Sequence, residues 1–291
     1  MGKLLSIEGQ EHVELQGYLE DAGRRLLIIH YHGLAGNFYE NAFIHHFVRE
    51  APQRGLSFLS VNSRAHDHFS DAHLGGSSGL LRRGAAHTKL EEVRSDIASW
   101  VSYALDEGFE SLVLEGHSAG AVSVADYLLH NDDARILGAV LASPTDLVGL
   151  QLVVHGRTEF ETLLRLARSH INEGHPRMLM PESALDGYLF DAETYLDLFQ
   201  PDGSGDLFDF RDPDRLTKLR GIGRPLLCFF GGGADEVCSV PVANALDSLR
   251  RELSPAINVT TSVIEGASHT YRGFENIVTA LVLEWIMRLQ V

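Results

Sequence analysis

Two cysteines in 291 residues, Cys228 and Cys238, are too few for a disulfide framework or a paired-cysteine zinc site, and their scarcity suits a reducing compartment. Basic residues are also short: 24 Lys and Arg stand against 40 Asp and Glu, a formal net charge of -16 at pH 7. Nucleic acid or an anionic membrane surface would meet a repelling field before any contact formed, so neither is expected as a partner. Long apolar runs are missing as well. The opening residues, MGKLLSIEGQEHVEL, lack the apolar core and small-residue cleavage site of a leader, and no uninterrupted run elsewhere would cross a bilayer. These absences lead to the expectation of a soluble, cytoplasmic protein; they leave oligomeric state open.

What is present is a core. Hydrophobic residues make up 44% of the chain, enough for one large α/β domain with room for an insertion. Alternating stretches at Leu4 to Glu8 and Val13 to Glu20 read as an N-terminal antiparallel hairpin. Apolar, branched segments then recur at 25–32, 56–62, 111–115, 136–143, 225–230 and 258–265, as parallel strands covered on both faces do. Helix-spaced apolar faces lie between and after them at 41–50, 89–105, 119–129 and 274–289. Strand-helix alternation of this kind predicts an α/β fold with a mostly parallel, doubly wound sheet. From 147 to 219 no convincing strand is found, only helical patterns such as 159–171 and the aromatic-rich DGYLFDAETYLDLF. The expected organisation is a core in two parts, 1–146 and 220–291, with a helical cap inserted at 147–219. The cap aromatics Tyr188, Phe190, Tyr195 and Phe199 could face a substrate, although their spacing is more often that of a helical core, and the glycine-containing segment 202–206 has the composition of a mobile loop.

One short stretch carries chemistry. LVLEGHSAGAVS runs from an apolar strand into an Ala- and Val-rich helix with Ser118 between Gly116 and Gly120. Such a turn lifts one side chain onto a tight corner only if the residues two positions away lack a Cβ. A serine hydroxyl at neutral pH needs an imidazole to take its proton and an acid to orient that imidazole. The chain has 15 histidines, and position narrows them, because loops at the carboxyl ends of parallel strands surround the ligand crevice. His269, in EGASHTYRG, directly follows the last strand, and Asp235, in FFGGGADEV, follows the one before. The order Ser118, Asp235, His269 is that of a hydrolase with a nucleophile elbow. Glu236 and Asp146, in SPTDL, are the alternative acids. His117 reads as structural. For the oxyanion, HYHGLAGN follows an early strand, and the backbone amides of Leu34 and Ala119 are the expected donors.

Taken together, HGLAGN, GHSAG, the GGGAD loop and the ASH loop resemble the α/β-hydrolase superfamily over almost the whole chain. A finer likeness runs through VNSRAHD, the helix containing Asp96 to Leu105, GHSAG with YLL, and LASPTD, similar to a branch that includes fungal siderophore-ester hydrolases. The resemblance implies a capped serine hydrolase acting on a small-molecule carboxylic ester, with no cofactor. Thioesterase and carbon-carbon hydrolase chemistry use the same residues, and a noncatalytic binding protein on this fold is the reading from a different class.

Other groupings have plainer readings. RAHDHFSDAH brings together His66, Asp67, His68, Asp71 and His73 without a defined third ligand, so no metal site is expected and a place near the pocket entrance is. Arg64 could hold a substrate carboxylate or pair with Asp67, and Arg82 and Arg83 read as solvated. GGSSG at 75–79 lacks the lysine of a phosphate loop and reads as a flexible connection.

Overall fold

The chain is described by a computed structural model for residues 2–289, apart from 24, 75–78, 186, 234 and 236. The N-terminal hairpin is β1 (Lys3–Glu8) and β2 (Glu14–Glu20), joined through a short 3-10 turn at Gln10–His12. The other strands of the main sheet are β3 (Leu26–Tyr31), β4 (Ser57–Val61), β7 (Ser111–His117), β8 (Ile136–Ala142), β9 (Leu226–Gly231) and β10 (Val259–Ile264); the intervening β5 (Ser70–His73) and β6 (Leu80–Arg83) form a separate antiparallel pair. The eight-stranded sheet runs β1-β2-β4-β3-β7-β8-β9-β10, with parallel pairing from β4 through β10 and antiparallel pairing at the β1 and β2 edge.

Alternation along the strands divides the core. Ile28, Val113, Val140, Leu227 and Phe229 face α1 (Ala42–Glu50) and α7 (Glu275–Leu289). Leu27, Ile29, Leu112, Leu114, Leu141 and Cys228 face the other layer, built from α2 (Leu90–Asp106), α3 (Ala119–His130) and α6 (Val242–Leu253). The helix α6 has no counterpart in the sequence reading, although VANALDSLRREL after Pro241 carries a clear apolar face at Ala245, Leu246, Leu249 and Leu253.

Between β8 and β9 the described residues add no strand to the sheet. They form α4 (Leu147–Asn172), bent at Gly156 where φ is 69° and ψ 168°, then α5 (Ala192–Phe199) and a 3-10 run over Pro213–Ile222. The helix is thus longer than the 159–171 expected. Phe190, Tyr195 and Phe199 are buried against one another with ring centroids 5.0 to 6.4 Å apart, which makes them core, while Tyr188 is half-buried against His68. Segment 202–206 is tied down by Arg215, which pairs with both Asp202 and Asp206.

At the strand-to-helix corner the two glycines meet backbone. A Cβ on Gly116 would lie 2.3 Å from the Gly120 carbonyl oxygen, and one on Gly120 would lie 2.3 Å from that of Tyr31. Neither oxygen can move without breaking the sheet or the helix start. Gly120→Ala is expected to lower the unfolding free energy by about 3 kcal/mol in a urea titration; a loss below about 1 kcal/mol contradicts this packing.

Candidate active site

The crowding of Gly116 and Gly120 holds Ser118 in a conformation that L-residues rarely adopt, with φ 60° and ψ -125°. Its amide donates to the Ala142 carbonyl at 2.8 Å, fixing the corner to β8. Its Oγ then stands 3.0 Å from His269 Nε2 and 3.3 Å from Thr145 Oγ1.

His269 reaches it because the loops after β9 and β10 interlock. Gly232 and Gly233 donate backbone bonds to Ile264 and Ala267, and a Cβ on Gly231 would lie 2.5 Å from the Ala267 carbonyl oxygen. That approach sets His269 Nδ1 2.8 Å from Asp235 Oδ1. With Nδ1–H donating to the carboxylate, the imidazole presents Nε2 as an acceptor toward the serine. The second carboxylate oxygen accepts from Ser143 Oγ at 2.5 Å and from the Gly231 amide at 3.0 Å, and Tyr271 Oη bonds Ser143 in turn. Burial alone would raise the Asp235 carboxyl, but the hydrogen bonds from His269, Ser143 and Gly231 outweigh it and hold Asp235 below the usual carboxylate range. It remains an anion wherever the protein is folded near neutral pH.

His117 braces the arrangement from below. Its Nε2 donates to the His269 carbonyl at 2.9 Å, and the two rings lie 4.8 Å apart. Burial, with His269 alongside, pushes His117 down to about 3, so it stays uncharged beneath an imidazole that must itself accept a proton.

The turn after β3 is also pinned. His32 Nδ1 donates to the Gly33 carbonyl at 2.8 Å, and its Nε2 accepts from the Ser63 amide at 3.2 Å. A Cβ on Gly33 would lie 3.0 Å from Ser118 Cβ, which places Leu34 beside the serine on one side as Ala119 is on the other. Among the described residues neither the Leu34 nor the Ala119 amide has a hydrogen-bond acceptor. Both residues line an apolar pocket with Leu147 of α4 and Leu198 of α5.

The structure therefore gathers Ser118, His269 and Asp235 and sets Leu34 and Ala119 next to them. Asp146 does not join them: it caps α4 through the Gly149 amide at 2.7 Å and binds Ser239 and the Phe210 amide. Glu236 lies outside the described residues, as does most of GGSSG. Arg64 pairs neither with Asp67 nor with solvent; fully buried, it takes Asp96 in a two-pronged ion pair and Glu11 at 2.6 Å. Arg83 is buried against Glu92 rather than solvated, whereas Arg82 is exposed and paired with Asp71. His66 binds Asp67, and among the described residues no group of three or more ligating side chains gathers as a metal site. Ser143, Thr145 and Tyr271 escaped the sequence reading, although SPTD and SHTY place each of them within three residues of a candidate that it named.

This sheet order, with a strained serine corner and its two partners on later strand-end loops, is that of the α/β-hydrolases. The siderophore hydrolase EstB of Aspergillus fumigatus superposes with a TM-score of 0.68 at 18% identity, over 99% of this chain and 98% of that one. The esterase Est1E of Butyrivibrio proteoclasticus, with ferulic acid bound, gives 0.65 at 19%, over 98% of both chains. A soluble variant of monoglyceride lipase from Saccharomyces cerevisiae gives 0.68 at 14%, over 99% and 95%. Residues 77–288 match the family described as "Protein of unknown function (DUF1749)", and the chain belongs to that family. No curated protein sequence matches it. Among the described residues no helix is long and apolar enough to cross a membrane.

Burial raises the Asp146 carboxyl from 3.8 to about 6 despite its hydrogen bonds. An acid whose pKa is raised on folding binds its proton more tightly in the folded chain, so its contribution is present below the unfolded value and is lost as pH rises through the folded one. Asp146→Asn is expected to flatten the stability profile between about pH 4 and 6, removing a slope worth at most about 3 kcal/mol. An unchanged slope in urea titrations across that window contradicts it.

Proposed function

We propose that the chain is a serine hydrolase that cleaves a small-molecule carboxylic ester through an acyl-enzyme intermediate. The observation that carries this reading is the continuous hydrogen-bonded run from Ser118 through His269 to Asp235, spanning loops from three strand ends. In the proposed reaction His269 Nε2 takes the hydroxyl proton as Ser118 Oγ attacks the acyl carbonyl, and Asp235 stabilises the imidazolium. The Leu34 and Ala119 amides receive the oxyanion, each supplying roughly 3 kcal/mol of barrier lowering. His269 then gives its proton to the departing alcohol. Water enters, His269 accepts its proton in turn, and collapse of the second tetrahedral intermediate frees the acid and restores Ser118.

Residues 147–219 serve as the cap in this reading. Its support is that Leu147 and Leu198 close over the same pocket that Leu34 and Ala119 open. The esterase, siderophore-hydrolase and lipase descriptions of the structural neighbours favour ester chemistry over the other acyl transfers open to the same residues.

A fluorophosphonate is expected to add once to the natural chain, at Ser118, by intact-protein and peptide mass spectrometry, and not to Ser118→Ala. His269→Ala is expected to lower kcat on a p-nitrophenyl ester by roughly 10⁴-fold. Labelling of both chains, or of neither, overturns the assignment.

A further inference from the structure

The pocket beside Ser118 has a chemistry of its own. Its exposed wall is overwhelmingly apolar, with Leu90 and Val93 of α2, Val122 of α3 and Leu198 of α5 among the residues that line it. Among the described residues no Asp, Glu, Lys or Arg lines it. Its polar groups are almost all engaged within the chain. Ser123 Oγ donates to the Ala119 carbonyl, Thr88 Oγ1 to the Gly84 carbonyl, and Ser63 contacts His32. His32 uses both ring nitrogens and is pushed down to about 4 by burial, so it is neutral. Among the described side chains that line it only the Tyr31 hydroxyl is without a partner, beside the free amides of Leu34 and Ala119.

The direction of the pocket matters as much as its lining. In the reaction proposed above the departing alcohol must lie toward His269, which protonates it, while the carbonyl oxygen points at the Leu34 and Ala119 amides. Among the described residues none of the lining comes from the loop between β10 and α7 that carries His269, or from the loop that carries Asp235. The pocket opens instead on the Leu34 and Ala119 side. That leaves it to the remaining substituent of the carbonyl carbon.

Resting on the serine-hydrolase reading, we infer that this pocket holds the acyl group of the substrate, and that the acyl group is uncharged and aliphatic. A carboxylate or ammonium placed there would give up its hydration with no counter-charge to meet it. An alkyl chain gains from burial against Val93, Val122 and Leu198. Charge and polarity, where the substrate has them, belong to the alcohol side.

The test compares kcat/KM for p-nitrophenyl acetate, p-nitrophenyl pentanoate and mono-p-nitrophenyl glutarate, which matches pentanoate in chain length but ends in a carboxylate. It uses the natural chain, Val122→Phe and Leu198→Ala, with rates expressed per fluorophosphonate-labelled site so that misfolded protein does not count. Pentanoate is expected to exceed glutarate by at least about a hundredfold in the natural chain. Val122→Phe is expected to lower the pentanoate-to-acetate ratio by at least about tenfold, with a smaller fall in Leu198→Ala from lost contact. Comparable rates on glutarate and pentanoate, or the same pentanoate-to-acetate ratio in all three chains, overturn the inference. Absence of both labelling and turnover is the separate failure of the hydrolase reading. In that event binding of pentanamide, followed by thermal shift, decides the pocket: weakening by Val122→Phe supports it, and no binding to the natural chain overturns it.

Discussion

The arrangement depends on one strained backbone position. Ser118 is held at φ 60° because Gly116 and Gly120 allow strand and helix to approach where a methyl group would strike a carbonyl oxygen 2.3 Å away. Conformations of this kind persist only where the surrounding structure over-determines them. Here the Ser118 amide is bonded to β8, the helix start packs closely on the end of β3, and the hydroxyl is bonded to a histidine whose own main chain is gripped by His117. The interlocked loops after β9 and β10 do for Asp235 and His269 what the glycine pair does for the serine. Rigid elements, rather than long flexible side chains, set the 3.0 Å and 2.8 Å separations.

Electrostatics follow the same division. A chain with a formal charge of -16 keeps its excess acid away from the pocket. Charges near the site are paired inside the protein: Arg64, buried with Asp96, also donates its backbone amide to that carboxylate at 2.7 Å, which fixes the loop after β4. Ser63 and Ala65 of that loop line the pocket, so the ion pair shapes the wall without presenting a charge to it. Removing one partner of such a pair would strand the other, at a cost of about 3 to 5 kcal/mol.

Much of this arrangement is legible in the sequence. Parallel strands covered on both faces are near-continuous apolar runs, so their limits fell within a residue or two, save for β7, which runs on through Gly116 and His117 into the corner itself. Ser118, Asp235 and His269 were legible because each directly follows such a run. What stayed hidden was pairing across distance. Nothing in the order of residues says that Arg64 meets Asp96 instead of Asp67 three positions away, or that His30 and Glu115, embedded in apolar strands, face each other in register. Asp146 and Asp235 look alike in sequence, each on a loop after a strand, and only the path of α4 turns the first into a helix cap. The bend at Gly156 escaped notice since α4 continues past it, and α6 was missed despite a regular apolar face.

The most direct measurement of the central claim is the pH dependence of the second-order rate at which diisopropyl fluorophosphate inactivates the chain. If His269 is the base that activates Ser118, the rate rises with pH through a single ionisation, and His269→Gln both slows inactivation and removes that ionisation. An inactivation rate in His269→Gln that still follows the natural chain's profile would contradict the account.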